Sequence, residues 1–248
     1  MNDSRNNLSI YLHWPFCRSK CPYCDFFSQV RKNVDQDKII NDYIEQLKAY
    51  AKIAPGRKIV SVFFGGGTPS LIKPHNIARI IEQIDKLWQL SEQCEISLEA
   101  NPNTQTPQLF ADLRLSGINR LSLGVQSLDD KQLKFLGRTH TAAEALKAID
   151  EVLQNFANHS VDLMYALPEQ TPEQWQNQLE QICSFGLKHI SLYQLTIEEN
   201  TPFYHKGVRP LNENTAAAMY RQTEKILSSK GYDKYEVSNY AVRSEERR

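Results

Sequence analysis

SVDLMYALPEQTPEQ, residues 160–174, contains one complete change of periodicity. Its first part, 160–168, is mostly apolar, as in a strand covered on both faces. Thr171-Pro172-Glu173-Gln174 then supplies an N-cap, a proline at the first helical position and a capping-box glutamine. A buried strand that feeds a capped helix is half of a βαβ unit, and the same alternation recurs in both directions along the chain.

Strand-like segments fall at 8–14, 59–64, 94–100, 120–126, 160–168 and 189–196. Amphipathic stretches at 36–52, 74–90, 106–116, 141–157 and 214–230 read as helices. In the second of these Ile77, Ile80, Ile81, Ile84, Leu87 and Trp88 keep 3–4 spacing behind Pro74. Strands so far apart do not form hairpins, so they run parallel with right-handed crossovers. An open doubly wound sheet and a partial (β/α) barrel both fit. Gly65-Gly66-Gly67-Thr68-Pro69-Ser70 matches neither GxGxxG nor GxxxxGK[ST], so the dinucleotide and P-loop readings lose their main support.

The 248 residues suit one α/β domain. Twenty-nine Lys and Arg balance twenty-nine Asp and Glu, so no global charge points to nucleic acid or an acidic membrane surface. No apolar run reaches the ~18 residues of a membrane span, and MNDSRNNLSIYLHW has no signal-peptide core. Five cysteines, three of them within residues 17–24, are no disulfide scaffold. They point to a reducing cytosol and a metal or reactive site.

Cys17, Cys21 and Cys24 form C-x3-C-x2-C directly after the first strand. One short loop can fold three thiolates around a single centre. Zinc would need a fourth ligand, for which His13 is near in sequence. An iron–sulfur cluster on three thiolates would keep one iron open. Unligated turn cysteines are the remaining reading. Cys94 and Cys183 fit core positions, and His75, His140, His159, His189 and His205 lack partners at ligand spacing.

YLHWPFCRSKCPYCDF resembles the cluster loop of radical S-adenosylmethionine (SAM) proteins. FFGGGTPSL, ISLEANP, RLSLGVQS, LGRTH, DLMYALP and YQLTIEENTPF extend the similarity from about residue 8 to 241. Together they resemble the oxygen-independent coproporphyrinogen III oxidase family, which includes the HemW-type haem chaperones. The resemblance implies a partial (β/α)6 TIM-like barrel over 1–210 and the start of a C-terminal α+β module over 211–248. It also implies a [4Fe–4S] cluster on Cys17, Cys21 and Cys24, with SAM on the open iron. An electron from the cluster would split SAM into methionine and a deoxyadenosyl radical.

Barrel chemistry sits at the C-terminal ends of strands. The cysteine loop, the glycine run, Glu99, Gln126, Pro168 and Thr196 all fall at such ends, with Asp162 earlier in its strand, so one shared site is expected. By resemblance Gly66, Gly67 and Thr68 hold the methionine part of SAM; a tight turn is the plain alternative. Glu99 would meet ribose hydroxyls or an amine, or else form a surface ion pair. Tyr11 and Tyr23 would line the cluster and adenosine pocket, or merely pack. Gln126, Arg138, Asp162 and Thr196 match positions that contact a second SAM or the substrate region in the oxidase branch. Arg138 suits a carboxylate through its fork, and Asp162 suits hydroxyl or ammonium donors.

Two functions remain: a chaperone that carries haem to an acceptor haemoprotein, and an oxidase that decarboxylates coproporphyrinogen III in porphyrin biosynthesis. Both would use an electron donor that the sequence does not identify. The oxidase branch has a further cysteine two residues after the third ligand. Phe26 stands there in this chain, and Pro22-Tyr23 precedes Cys24, so the chaperone is favoured. Gly231 suits a helix C-terminus, and YDKYEVSNYA reads as one more strand. After Ala241 the resemblance ends in the charged VRSEERR. A truncated or partial chain is expected, with a natural solvated terminus as the alternative. Haem retention is expected to be weakened if it needs the further segment.

Overall fold

A computed structural model describes residues 6–103 and 108–242. The strands are β1 (Asn7–Trp14), β2 (Phe16–Cys17), β3 (Gln29–Val30), β4 (Lys58–Gly66), β5 (Leu90–Ala100), β6 (Arg120–Gln126), β7 (Asn158–Tyr165), β8 (His189–Gln194), β9 (Tyr232–Lys234) and β10 (Asn239–Val242). The helices are α1 (Gln36–Ile53), α2 (Pro74–Trp88), α3 (Leu109–Leu115), α4 (Asp130–Phe135), α5 (Ala142–Asn155), α6 (Pro172–Cys183), α7 (Pro202–His205) and α8 (Glu213–Ser229).

The main sheet has the order β1-β4-β5-β6-β7-β8-β10-β9, and the β1–β4, β4–β5 and β7–β8 pairs are parallel. From β1 to β8 the strands follow chain order with no reversal. A doubly wound sheet reverses order at a switch point, so this is the α/β arrangement of a partial barrel. Among the described residues the sheet is open, with β1 and β9 as its edges.

Compactness divides the chain into two units. The first holds residues 1–19, 26–121 and 154–157, and the second holds 20–25, 122–153 and 158–248. In the first, α2 buries Ile77, Ile80, Ile81, Ile84 and Trp88 along one stripe. Each fully buried side chain of this kind stabilises by about 1.5–3 kcal/mol. Gln89 stops α2 in a left-handed conformation (φ 69°), and β5 starts at the next residue. The helix expected over 74–90 is therefore two residues shorter, because β5 extends back to Leu90. The N-terminal part of the segment expected at 106–116 lies partly outside the described residues; α3 covers Leu109–Leu115.

In the second unit α6 carries the expected capping box. The Thr171 hydroxyl accepts from the Gln174 N–H at 3.2 Å, and Gln174 Oε1 accepts from the Thr171 N–H at 2.9 Å. Trp175, Leu179 and Ile182 form its buried stripe. The single strand expected over 232–241 is a hairpin: β9 pairs antiparallel with β10, which pairs antiparallel with β8. The intervening residues turn the chain back, so β10 extends the sheet beside β8. Among the described residues no helix is long and apolar enough to cross a membrane.

Candidate functional site

The stem of the cysteine loop lies in the first unit. There β2 pairs parallel with β3, the Gln29 N–H donates to Pro15 O at 2.7 Å, and the Arg31 N–H donates to Cys17 O at 3.1 Å. These bonds close residues 18–28 into a loop and bury Cys17.

The glycine run presses on this stem. The Gly67 N–H donates to Trp14 O at 2.6 Å and the Thr68 N–H to Phe16 O at 3.0 Å. A β-carbon on Gly67 would stand 2.7 Å from Phe16 O and 3.0 Å from Cys17 Sγ. On Gly66, with φ 112°, it would stand 2.7 Å from the His13 ring. The close approach inferred for these glycines is thus made first to the protein's own backbone and to Cys17. The Gly66 N–H donates to Glu99 Oε2 at 3.2 Å. Tyr11 is exposed; partial burial, with the Glu99 charge adding to it, pushes its phenol pKa up. Tyr11, Gly66, Gly67, Thr68, Glu99 and Cys17 therefore share the first unit. Both ring nitrogens of His13 have partners, Nε2 with Phe27 O at 2.9 Å and Nδ1 with the Tyr11 hydroxyl at 3.3 Å. Those contacts compete with the zinc-ligand role considered for it.

Cys21 and Cys24 lie in the second unit, at the ends of one β-turn. The Cys24 N–H donates to Cys21 O at 3.1 Å, and Pro22 holds the second turn position, which its fixed φ suits. The turn is clasped from three sides. Gly137 (φ 67°) lies under Pro22, so close that a β-carbon there would meet Pro22 Cδ at 2.5 Å. The Phe203 N–H donates to Pro22 O at 3.0 Å. Arg138 donates through Nη1 to Cys21 Sγ at 3.6 Å and through Nη2 to Gly124 O at 2.8 Å.

Tyr23 packs on a buried cluster of Leu136, Met164, Leu167, Leu195 and Phe203 and hydrogen-bonds Arg138. Burial, above all, raises its phenol pKa. His140, which the sequence left without a role, donates through Nε2 to Val125 O at 3.0 Å. Burial, then the Arg138 charge, lowers its pKa to about 4, so it is neutral near pH 7 and Nε2 is the donor. Gly137, Phe203 and His140 were not picked out as site residues. The signal was present in LGRTH and ENTPF, whose partners are remote in sequence.

The other expected residues are spread along the second unit's strand ends. Gln126 closes β6 with φ 69°, a left-handed backbone that costs a non-glycine residue about 1–2 kcal/mol. Ala166, just past β7, does the same with φ 57°. Asp162 accepts from the Ser122 hydroxyl at 3.0 and 3.2 Å, so its hydroxyl donor comes from the neighbouring strand. Thr196 was expected to end its strand, but β8 stops at Gln194, and one further bond, from the N–H of the buried Leu195 to Tyr165 O at 3.0 Å, follows it. Thr196 lines an open cleft of about 710 Å³ with Ile197, Tyr204, Leu211 and Tyr220.

None of the five cysteines is in a disulfide. Among the described residues no three His, Cys, Asp or Glu side chains converge as they would on one metal ion. A cubane places its thiolates on separate irons, so its sulfurs need not converge in that way. The thiols of each unit have chemistry suited to iron–sulfur ligation: in the first, a buried thiol beside the glycine run; in the second, two thiols on a proline turn beside a guanidinium.

This fold and loop define a class. Residues 11–182 match the Radical SAM superfamily, and the chain belongs to it. Along 94% of its length it is 40% identical to Heme chaperone HemW of Buchnera aphidicola (subsp. Schizaphis graminum), of which it covers 62%. It is 38% identical to the mouse Radical S-adenosyl methionine domain-containing protein 1, mitochondrial, covering 94% of this chain and 54% of that protein. The chain thus spans a little over half of these relatives. Among solved structures, that of the Escherichia coli coproporphyrinogen III oxidase HemN, described as a radical SAM enzyme, superposes with a TM-score of 0.87 at 24% identity. That match covers 97% of this chain and 57% of HemN, and shows a shared fold.

Proposed function

We propose that this chain is the radical SAM portion of a haem chaperone, with Cys17, Cys21 and Cys24 holding a [4Fe–4S] cluster. The observation that carries the cluster is the Cys21–Cys24 turn, clasped by Gly137, Arg138 and Phe203. Fixing two thiols in advance reduces the ordering cost of ligation. Bound together, cluster and SAM supply one-electron reductive chemistry. The chain's own part is to hold and orient: Gly66, Gly67, Thr68, Glu99 and Tyr11 for the first SAM, with Tyr23 packing behind the cluster turn. Gln126, Arg138, Asp162 and Thr196 serve the substrate region or a second SAM. Residues 1–210 form the barrel, and 211–248 begin the C-terminal module. Thiols outside disulfides suit a reducing, cytosolic setting.

Haem is the proposed cargo, handed to an acceptor haemoprotein. The choice over coproporphyrinogen decarboxylation rests on Phe26, 60% exposed where the oxidase branch has cysteine, and agrees with relatives named as haem chaperones. The test is anaerobic purification with iron and acid-labile sulfide counts, followed by separate incubations of the reduced protein and SAM with haem and with coproporphyrinogen. A brown protein that binds haem and yields no decarboxylated product is expected. A colourless protein with one zinc would sink the cluster, and decarboxylated product would replace the chaperone by the oxidase.

A further inference from the structure

We infer that Arg138 sets the reduction potential of the cluster by holding its guanidinium against the Cys21 sulfur. The inference rests on the proposed ligand role of Cys21 and adds a second task to a residue first read as a ligand contact.

The geometry at Cys21 is specific. As a thiol, Cys21 Sγ lies 3.9 Å from Gly137 O, to which it donates. A ligating thiolate has no proton to give that carbonyl. Arg138 Nη1, 3.6 Å away, is a donor whose contact survives deprotonation and grows stronger with it. The guanidinium cannot drift away from the sulfur, because Nη2 is tied to Gly124 O in β6 at 2.8 Å and the Tyr23 hydroxyl is a third partner. A fork can bond a sulfur and a carbonyl in different directions at once; a lysine ammonium on a flexible stem is not preorganised in that way.

The consequence follows from charge. Reduction adds one negative charge to the cluster and its thiolates. A hydrogen bond to a ligand sulfur, and a cation beside it, stabilise the reduced state more than the oxidised one. Arg138 therefore makes the cluster easier to reduce. His140 couples to Arg138, and in turn to Glu144 and Asp130; it is neutral near pH 7, so the guanidinium charge is not duplicated there.

The test uses the full chain, reconstituted anaerobically as wild type, Arg138→Gln and Arg138→Lys. Iron and sulfide are counted, and a dithionite titration is followed by EPR. With iron content unchanged, Arg138→Gln is expected to lower the midpoint by at least a tenfold change in the reduction equilibrium, about 59 mV for one electron. Arg138→Lys, which keeps the charge and loses the fork, should fall between the two. Equal midpoints in all three proteins would overturn the inference and leave the cluster reading intact. Loss of cluster from both variants with unchanged thermal unfolding would also overturn it, making Arg138 a clasp for the loop. A wild type holding zinc and no sulfide would remove the ligand role of Cys21 itself.

Discussion

Gly137 leaves no room for a β-carbon, since one built there would stand 2.5 Å from Cδ of Pro22 inside the turn that joins Cys21 to Cys24. A glycine in LGRTH and a proline in the cysteine loop, 115 positions apart (137 − 22), therefore form a single fitted surface. Gly137→Ala should displace the turn and reduce iron per chain severalfold after reconstitution. Gly186→Ala is the control. Its φ of 66° is nearly the same but its surroundings are open, so it should cost only the left-handed strain of about 1–2 kcal/mol and retain iron. Equal iron loss in the two variants would show that backbone strain alone, not the Pro22 contact, is responsible.

His140 makes folding sensitive to acid. Its folded pKa of about 4 lies below the unfolded value of 6.5, chiefly through burial. Between those values the unfolded chain binds more protons, so stability rises with pH across this window. Acidification from pH 6.5 toward 4 should remove up to about 3 kcal/mol. Urea melts at several pH values would measure it, and His140→Gln should flatten that part of the profile.

Trp175 and Thr223 tie α6 to α8 through an indole N–H to hydroxyl bond of 2.7 Å between buried side chains. Thr223→Val keeps the shape and leaves the indole donor without its acceptor. A loss of about 1–3 kcal/mol in chemical denaturation is expected, with iron content unchanged.

Cys94 and Cys183 should resist alkylation. Burial above all pushes each thiol up to about 11, which leaves little thiolate near neutral pH. Mass spectrometry after iodoacetamide treatment of native apoprotein at pH 8 should find both slow to label and quickly labelled after unfolding. Cys94→Ala and Cys183→Ala should keep the cluster, whereas alanine at Cys17, Cys21 or Cys24 should abolish it.

Much of this protein is local in origin. Period and capping are properties of adjacent residues, so 120–126 read as a strand and Thr171-Pro172 as a helix start were both legible before any packing was known. The cysteine spacing was legible for the same reason, since C-x3-C-x2-C is a constraint within one loop. Other features needed the folded chain. The hairpin over 232–242 arises because β10 finds an open edge on β8, which local propensity cannot announce. Gly67 is fitted to Phe16 and Cys17, Gly137 to Pro22, and Arg138 to Cys21 across more than a hundred residues. The residue types at those positions were visible in the chain. Their partners were not, because a contact between distant residues exists only once the sheet has set the strand ends that carry them.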